Sequence, residues 1–244
     1  MNKILVIGAT SLIAQHCIKI WNSRGDKLFL VGRNVISMKK ILKVLKKKRE
    51  KKNFFFLDVN RIDLHKEMLN KAEKFLGNID LAFISYGTLP NQKKCQTSTN
   101  LTLKEIKTNA LSTISILTSL ANKLEMKRRG TIAVISSLAG DRGRASNYVY
   151  GCSKAMITTF LSGLGQRLKK SNVNVITIKP GFVHTPMTKS LKKNLLYERP
   201  SEVAKIIVKG IDNNKYEIYA PSFWRLIIYI VKFLPESIFR RLNF

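Results

Sequence analysis

Acidic residues are scarce: 15 Asp and Glu stand against 44 Lys and Arg, a formal net charge of +29 over 244 residues. That balance favours anionic surroundings such as phospholipid, nucleic acid or phosphorylated substrates. Cysteine is also sparse. Cys17, Cys95 and Cys152 are odd in number, far apart and without a C-x-x-C pairing, so neither a disulfide framework nor a zinc site is expected and a reducing cytoplasm fits best. Long apolar runs are missing. The apolar run before Gly8 in "MNKILVIGATS" is only four residues long, too short for a signal-peptide core. No uninterrupted apolar stretch of about 20 residues occurs, so neither export nor membrane spanning is predicted. No RNA- or DNA-binding signature accompanies the charge, and no nucleic-acid partner is expected. His16 and His65 fall on predicted helices as packing or surface residues, and no metal site is visible.

What is present is an alternating pattern. Short apolar runs at 3–7, 27–31, 54–57, 79–84, 131–135 and 173–178 read as buried strands, and 11–24, 37–50, 61–76, 102–126 and 148–170 have helical length and periodicity. Alternation of this kind predicts βαβ units, hence an α/β fold with a doubly wound parallel sheet in a single domain. Ligands in such sheets bind beyond the carboxyl ends of the strands, at the loops starting at 8, 32, 58, 85, 136 and 179. Nine of the fourteen residues in 39–52 are basic, but Ile41, Leu42 and Leu45 recur among them at helical spacing. An amphipathic helix with a solvated lysine face is the simplest reading.

Three stretches carry chemistry. In "NYVYGCSKA" (147–155), Lys154 lies four residues after Tyr150, so on a helix the two share a face, whereas Tyr148 points elsewhere. A lysine ammonium beside a phenol pulls the phenol pKa toward neutrality, which suits proton transfer and makes Tyr150 the candidate. "VIGATSLIA" follows the first strand and opens the first helix, where backbone N–H groups and the helix dipole can meet a pyrophosphate. Ser137 precedes Tyr150 by thirteen residues, Asn109 lies in a helix about forty residues before it, and "PGFVHTPM" (180–187) follows the sixth strand.

In order and spacing these stretches resemble the short-chain dehydrogenase/reductase family across nearly the whole chain. The resemblance implies a catalytic set of Asn109, Ser137, Tyr150 and Lys154. Tyr150 would give a proton to a carbonyl, Ser137 would orient the carbonyl oxygen, Lys154 would hold the nicotinamide ribose, and Asn109 would fix a relay water. It also implies a cofactor cradle of Gly8, Thr10, Ser11, Leu12, Ile13, Arg33, Asp58, Val59, Gly87, Pro180, Gly181, Val183 and Thr185, together with Tyr150 and Lys154. Two departures stand out. Leu12 and Ala14 replace the second and third glycines of the family's T-G-x-x-x-G-x-G turn, and "SYG" (85–87) replaces its N-N-A-G segment. At the end of the second strand, "VGRN" offers Arg33 and no acid, a pairing suited to a 2′-phosphate and hence to NADPH over NADH.

"SSLAGDRGRASNYVYGCSKA", "KPGFVHTPMT" and the tail also resemble a subgroup related to the reductase of the polyprenyl-phosphoryl ribose 2-epimerase pair. That implies a ketone substrate, a 2-keto sugar on a polyprenyl phosphate. From their place on the loop between Ser137 and Tyr150, Arg142 and Arg144 are candidate phosphate contacts, and His184, inside "GFVHT" beside the expected nicotinamide, is a candidate substrate contact. The family resemblance implies a homodimer or tetramer. Residues 1–221 read as the NADP-binding domain and 222–244 as an apolar and basic helical extension, which either buries itself against the domain or a dimer partner or lies on an anionic membrane surface from the cytoplasmic side. A non-catalytic NADPH-binding regulator and a basic membrane- or nucleic-acid-binding scaffold are the alternatives.

Overall fold

The computed structural model describes residues 1–45, 52–189 and 195–242. Its strands are β1 (Lys3–Ile7), β2 (Lys27–Gly32), β3 (Lys52–Phe56), β4 (Leu81–Ile84), β5 (Gly130–Ile135), β6 (Val173–Pro180) and β7 (Glu217–Ala220). They form one sheet in the order β3-β2-β1-β4-β5-β6-β7, with every neighbouring pair parallel. Between them run α1 (Leu12–Ser23), α2 (Val35–Val44), α3 (His65–Leu76), α4 (Gln92–Gln96), α5 (Thr99–Ile106), α6 (Ser112–Lys127), α7 (Tyr148–Lys169) and α8 (Pro200–Asp212). The chain ends on α9 (Trp224–Phe233) and α10 (Glu236–Phe239).

Both sheet faces are buried, so the strands read as continuous apolar runs. Ile4, Val6, Leu28 and Leu30 turn to the layer that holds α1, α2 and α8, while Leu5, Ile7, Phe29 and Val31 turn to α3, α6 and α7. The order in which strands are added reverses between β1 and β4, with β2 and β3 on one side and β5 to β7 on the other, which opens a crevice at their carboxyl ends. Caps set where helices begin: Asn34 accepts the Ser37 amide, Asn91 that of Lys94 and Ser98 that of Leu101.

The sequence reading differs from the fold in a few places. The expected helix over 102–126 is α5 and α6 joined by a π-helical segment, Lys107–Leu111, which widens one turn at Asn109. Elements α4, α8 and β7 were not among the expected ones. In the basic run, Met38, Ile41 and Leu45 are buried and Lys39, Lys40 and Lys43 exposed, as an amphipathic helix requires; residues 46–51 of that run lie outside the described residues. Helix α9 packs Trp224 and Ile228 against Leu138, with Phe182, Tyr219 and Ile227 around them. No helix among the described residues is long and apolar enough to cross a membrane.

Candidate active site

A cleft of about 460 Å³ opens at the carboxyl ends of the strands. All the expected cofactor-contacting residues line it, from Gly8 through Leu12, Arg33 and Asp58 to Thr185, and so do Ser137, Tyr150 and Lys154. The turn after β1 makes the crevice deep. Gly8 has φ +86°, and its amide and that of Ala9 both donate to the Val31 carbonyl at 2.9 Å. Ser11 precedes α1 without capping it through its side chain, and no acid sits in the first turn. The first-turn N–H groups are therefore open to an anion. Of the two departures from the glycine pattern, Ala14 is fully buried in the core behind the turn, and only Leu12 faces the cleft.

Helix α7 delivers Tyr150 and Lys154. Gln92 of α4 accepts the Val149 amide at 3.1 Å and so supplies the cap that Asn147 does not. Tyr150, in the first turn, shares a hydrogen bond with Ser137, whose hydroxyl also accepts the Ala139 amide at 3.1 Å. Ser136, next to Ser137, turns away from the cleft interior, its hydroxyl donating to the Lys154 carbonyl at 3.1 Å. Tyr148 is 44% exposed and does not line the cleft.

The electrostatics correct one expectation. Burial raises the Tyr150 phenol above its ordinary value, with the Ser137 bond opposing, rather than Lys154 drawing it down. The lysine ammonium lies 5.7 Å from the Tyr150 ring centroid and donates to the Ile135 carbonyl at 3.0 Å. A raised phenol stays protonated at neutral pH, which suits a proton donor. Burial pushes Lys154 itself down to about 8. Its folded-state value lies below the unfolded one, so burying the charged form costs stability below pH 8, and that cost fades as pH rises from about 8 toward the unfolded value.

Asn109 is buried behind the cleft wall rather than on it. Its carboxamide oxygen accepts the Thr88 amide at 2.8 Å, and its nitrogen donates to the Thr88 hydroxyl at 3.1 Å. Glu105, one turn earlier, accepts the Thr88 hydroxyl at 2.5 Å and stands 3.5 Å from the Asn109 nitrogen. This carboxylate fixes which way the amide faces, and sequence reasoning passed over it. The available signal was a lone acid four residues before Asn109 in a basic chain.

The three residues expected near a substrate separate. Arg144 lines the cleft; burial lowers its pKa while Asp141 opposes that shift. Arg142 does not line it. Its guanidinium donates to the Val231 and Leu234 carbonyls at 2.5 and 2.6 Å, pairs with Glu236 and stacks 3.8 Å over the Phe239 ring, so it fastens the tail instead of meeting a phosphate. His184 is exposed outside the cleft, with its ring 5.1 Å from that of Tyr197. The loop after Ser137 is further anchored by Asp141, which pairs with the buried Lys179 at 2.7 Å, and Lys179 also meets Glu217. Burial alone would lower Lys179, but these two carboxylates carry it well above its ordinary value. Trp224 of α9 completes the wall beside Gly181, a contribution not expected of the extension.

Comparison with known proteins identifies the family and the fold. The family model for short chain dehydrogenase matches residues 2–196. An uncharacterized oxidoreductase of Mycobacterium tuberculosis is 32% identical over 166 residues, 68% of this chain and 67% of that protein. One from Myxococcus xanthus is 27% identical over 240 residues, 96% of this chain and 93% of the other. Among solved structures, a variant of actinorhodin polyketide ketoreductase with NADPH superposes with a TM-score of 0.79 at 19% identity, covering 89% of this chain and 95% of that one. A short chain dehydrogenase from Burkholderia cenocepacia in complex with NADP gives 0.82 at 17% identity over 99% of each chain. The chain belongs to the short-chain dehydrogenase/reductase family.

Proposed function

We propose that the protein is an NADPH-dependent ketone reductase. The observation that carries this reading is the hydrogen-bonded Ser137–Tyr150 pair above a buried Lys154, in a cleft whose other end offers the uncapped start of α1 and the exposed Arg33. Residues Gly8 to Ile13 would hold the pyrophosphate, Arg33 the 2′-phosphate, and Lys154 and Thr185 the nicotinamide half; the NADPH- and NADP-bound fold relatives support this choice. NADPH supplies a hydride when bound. Ser137 and Tyr150 hold the carbonyl oxygen, and as the carbon accepts the hydride, Tyr150 passes its phenolic proton to that oxygen. The ketone becomes an alcohol, and the phenolate is left to be reprotonated, with the Lys154 ammonium beside it.

As substrate we propose a 2-keto sugar carried on a polyprenyl phosphate, with Arg144 as the phosphate contact. The subgroup resemblance supports this, as does a basic chain with an apolar tail. The same reading places the protein as a homodimer or tetramer at the cytoplasmic face of an anionic membrane, held there through 222–244. Loss of NADPH absorbance against a panel of keto sugars, free and polyprenyl-linked, tests it; no turnover of any ketone would defeat the reductase reading.

Cofactor choice gives a separate test. Arg33→Ala is expected to weaken NADPH binding by about one to two powers of ten and to leave NADH binding nearly unchanged, since a charge-assisted contact contributes roughly 1.5–3 kcal/mol. Equal losses for both would show that Arg33 does not read the 2′-phosphate. For pH, kcat/KM for ketone reduction is expected to hold level to neutrality and to fall above about 8, as Lys154 loses its proton. A profile level through that range would remove the lysine charge from the mechanism.

A further inference from the structure

Helix α9 is apolar on two opposite sides. Trp224 and Ile228 are buried in the body, and successive residues advance about 100° around the axis. Leu226, Tyr229, Ile230 and Phe233 therefore fall on the outward side, where they are 56–69% exposed. Ile238 and Leu242, past the end of α9, are exposed as well. Arg225 and Lys232 stand on one flank between the two sides, and Arg240 and Arg241 follow on the last turn. A surface helix ordinarily has one apolar stripe, against its own core. A second one, facing out over about two turns, marks an interaction surface.

Charge decides what covers it. A second copy docked on this face through a two-fold axis would bring Arg225 and Lys232 toward the like charges of its own Arg225 and Lys232. Beyond residue 222 the sole carboxylate is Glu236, which is engaged by Arg142 and Arg240. An anionic lipid surface meets both demands, since it accepts the apolar side chains at the headgroup boundary and neutralises the flanking cations. At about 15 Å, α9 suits lying in that boundary.

The inner side of the same helix belongs to the cleft. The Trp224 indole lies directly on Gly181: a Cβ built there would fall 1.9 Å from the indole nitrogen. Arg142, five residues after Ser137, grips the far end of α9 through the Val231 and Leu234 carbonyls. The helix is thus fastened at its start to the cofactor loop and at its end to the loop that carries Ser137.

We propose that residues 223–241 are a two-sided arm: the outer side lies in the headgroup boundary of an anionic membrane, and the inner side walls the cleft. Docking then sets the cleft mouth at headgroup depth, where a lipid-borne ketone is presented. The proposal rests on the lipid-borne substrate reading and adds to it the surface and the direction of approach.

The test uses the full chain with phosphatidylcholine vesicles that contain or lack phosphatidylglycerol. Co-sedimentation is expected with the anionic vesicles only, and it is lost at high salt. Leu226→Gln, Ile230→Gln and Phe233→Gln together should weaken vesicle binding at least about tenfold while NADPH affinity, the check on folding, is unchanged. With a long-chain ketone dissolved in the vesicles, anionic lipid should raise kcat/KM by about tenfold or more, and with a water-soluble ketone it should not. Failure of the unaltered protein to bind anionic vesicles at low salt, or undiminished binding by the triple variant, overturns the proposal. So does a triple variant that changes only the molar mass by light scattering, because the face would then belong to a second copy. Vesicle binding without reduction of any ketone would sink the reductase reading and leave the docking surface standing; ketone reduction without vesicle binding would do the opposite.

Discussion

Replacing Tyr150 with Phe is expected to lower ketone reduction by about two to four powers of ten, the span that general acid catalysis contributes. NADPH affinity should remain within a few-fold. The substitution removes one oxygen and leaves the ring in place, so the cleft keeps its shape and loses only the proton that the carbonyl oxygen needs. The Ser137 hydroxyl keeps its bond from the Ala139 amide and stays oriented. Tyr148→Phe is the matched control, since that ring is exposed on the first turn of α7, outside the cleft. Steady-state NADPH oxidation with an equilibrium NADPH titration measures both. A dead Tyr148 variant beside an active Tyr150 variant would dismantle the site.

Gly8→Ala should be nearly as damaging, by a different route. The residue sits at φ +86°, where a side chain costs about 1 kcal/mol or more. The added methyl would stand 2.7 Å from the Tyr86 backbone nitrogen and 2.8 Å from its Cβ. Neither can give way cheaply: the Tyr86 amide is in the chain just after β4, and its hydroxyl is held by Ser112 and Thr113. Overpacking of this kind costs roughly 1–3 kcal/mol. Together the two effects predict about 2–4 kcal/mol of lost stability, or a Tm lower by roughly 5–15 °C in a domain of this size. NADPH should recover part of that loss, because the displaced turn is the one it binds. A thermal melt within about 1 °C of the unaltered protein would mean that the turn relaxes freely.

The elements that the sequence made legible are those whose apolar pattern is long and uninterrupted. β1 and α7 fall almost where periodicity put them, because both faces of the sheet are covered and Ile4 to Ile7 have no polar break. β7 was missed since its four residues, EIYA, alternate at the sheet edge and make no run. The π-helical turn at Asn109 has no local signature, and the Thr88 amide and hydroxyl that engage the Asn109 side chain there come from a segment about twenty residues away. Spacing located Ser137, Tyr150 and Lys154, but it could not show that Lys154 would spend its ammonium on the Ile135 carbonyl. Arg142 read as a substrate contact from its place on the loop. Its real partners, Val231 and Leu234, lie about ninety residues away, a relation that only the folded chain creates.

The chain has two tryptophans, and the fold gives them separate audiences. Trp21 is sealed in the core, edge-on to Phe83 at 5.3 Å, far from the crevice. Trp224 lies on Gly181 in the cleft wall, beside the loop that would carry the nicotinamide. Each indole is therefore an optical label already installed, one for the integrity of the interior and one for events at the wall. With Trp21 changed to Phe, the remaining emission would follow the arm alone, so that nucleotide arrival and arm displacement could be timed in a stopped-flow fluorimeter without attaching a dye.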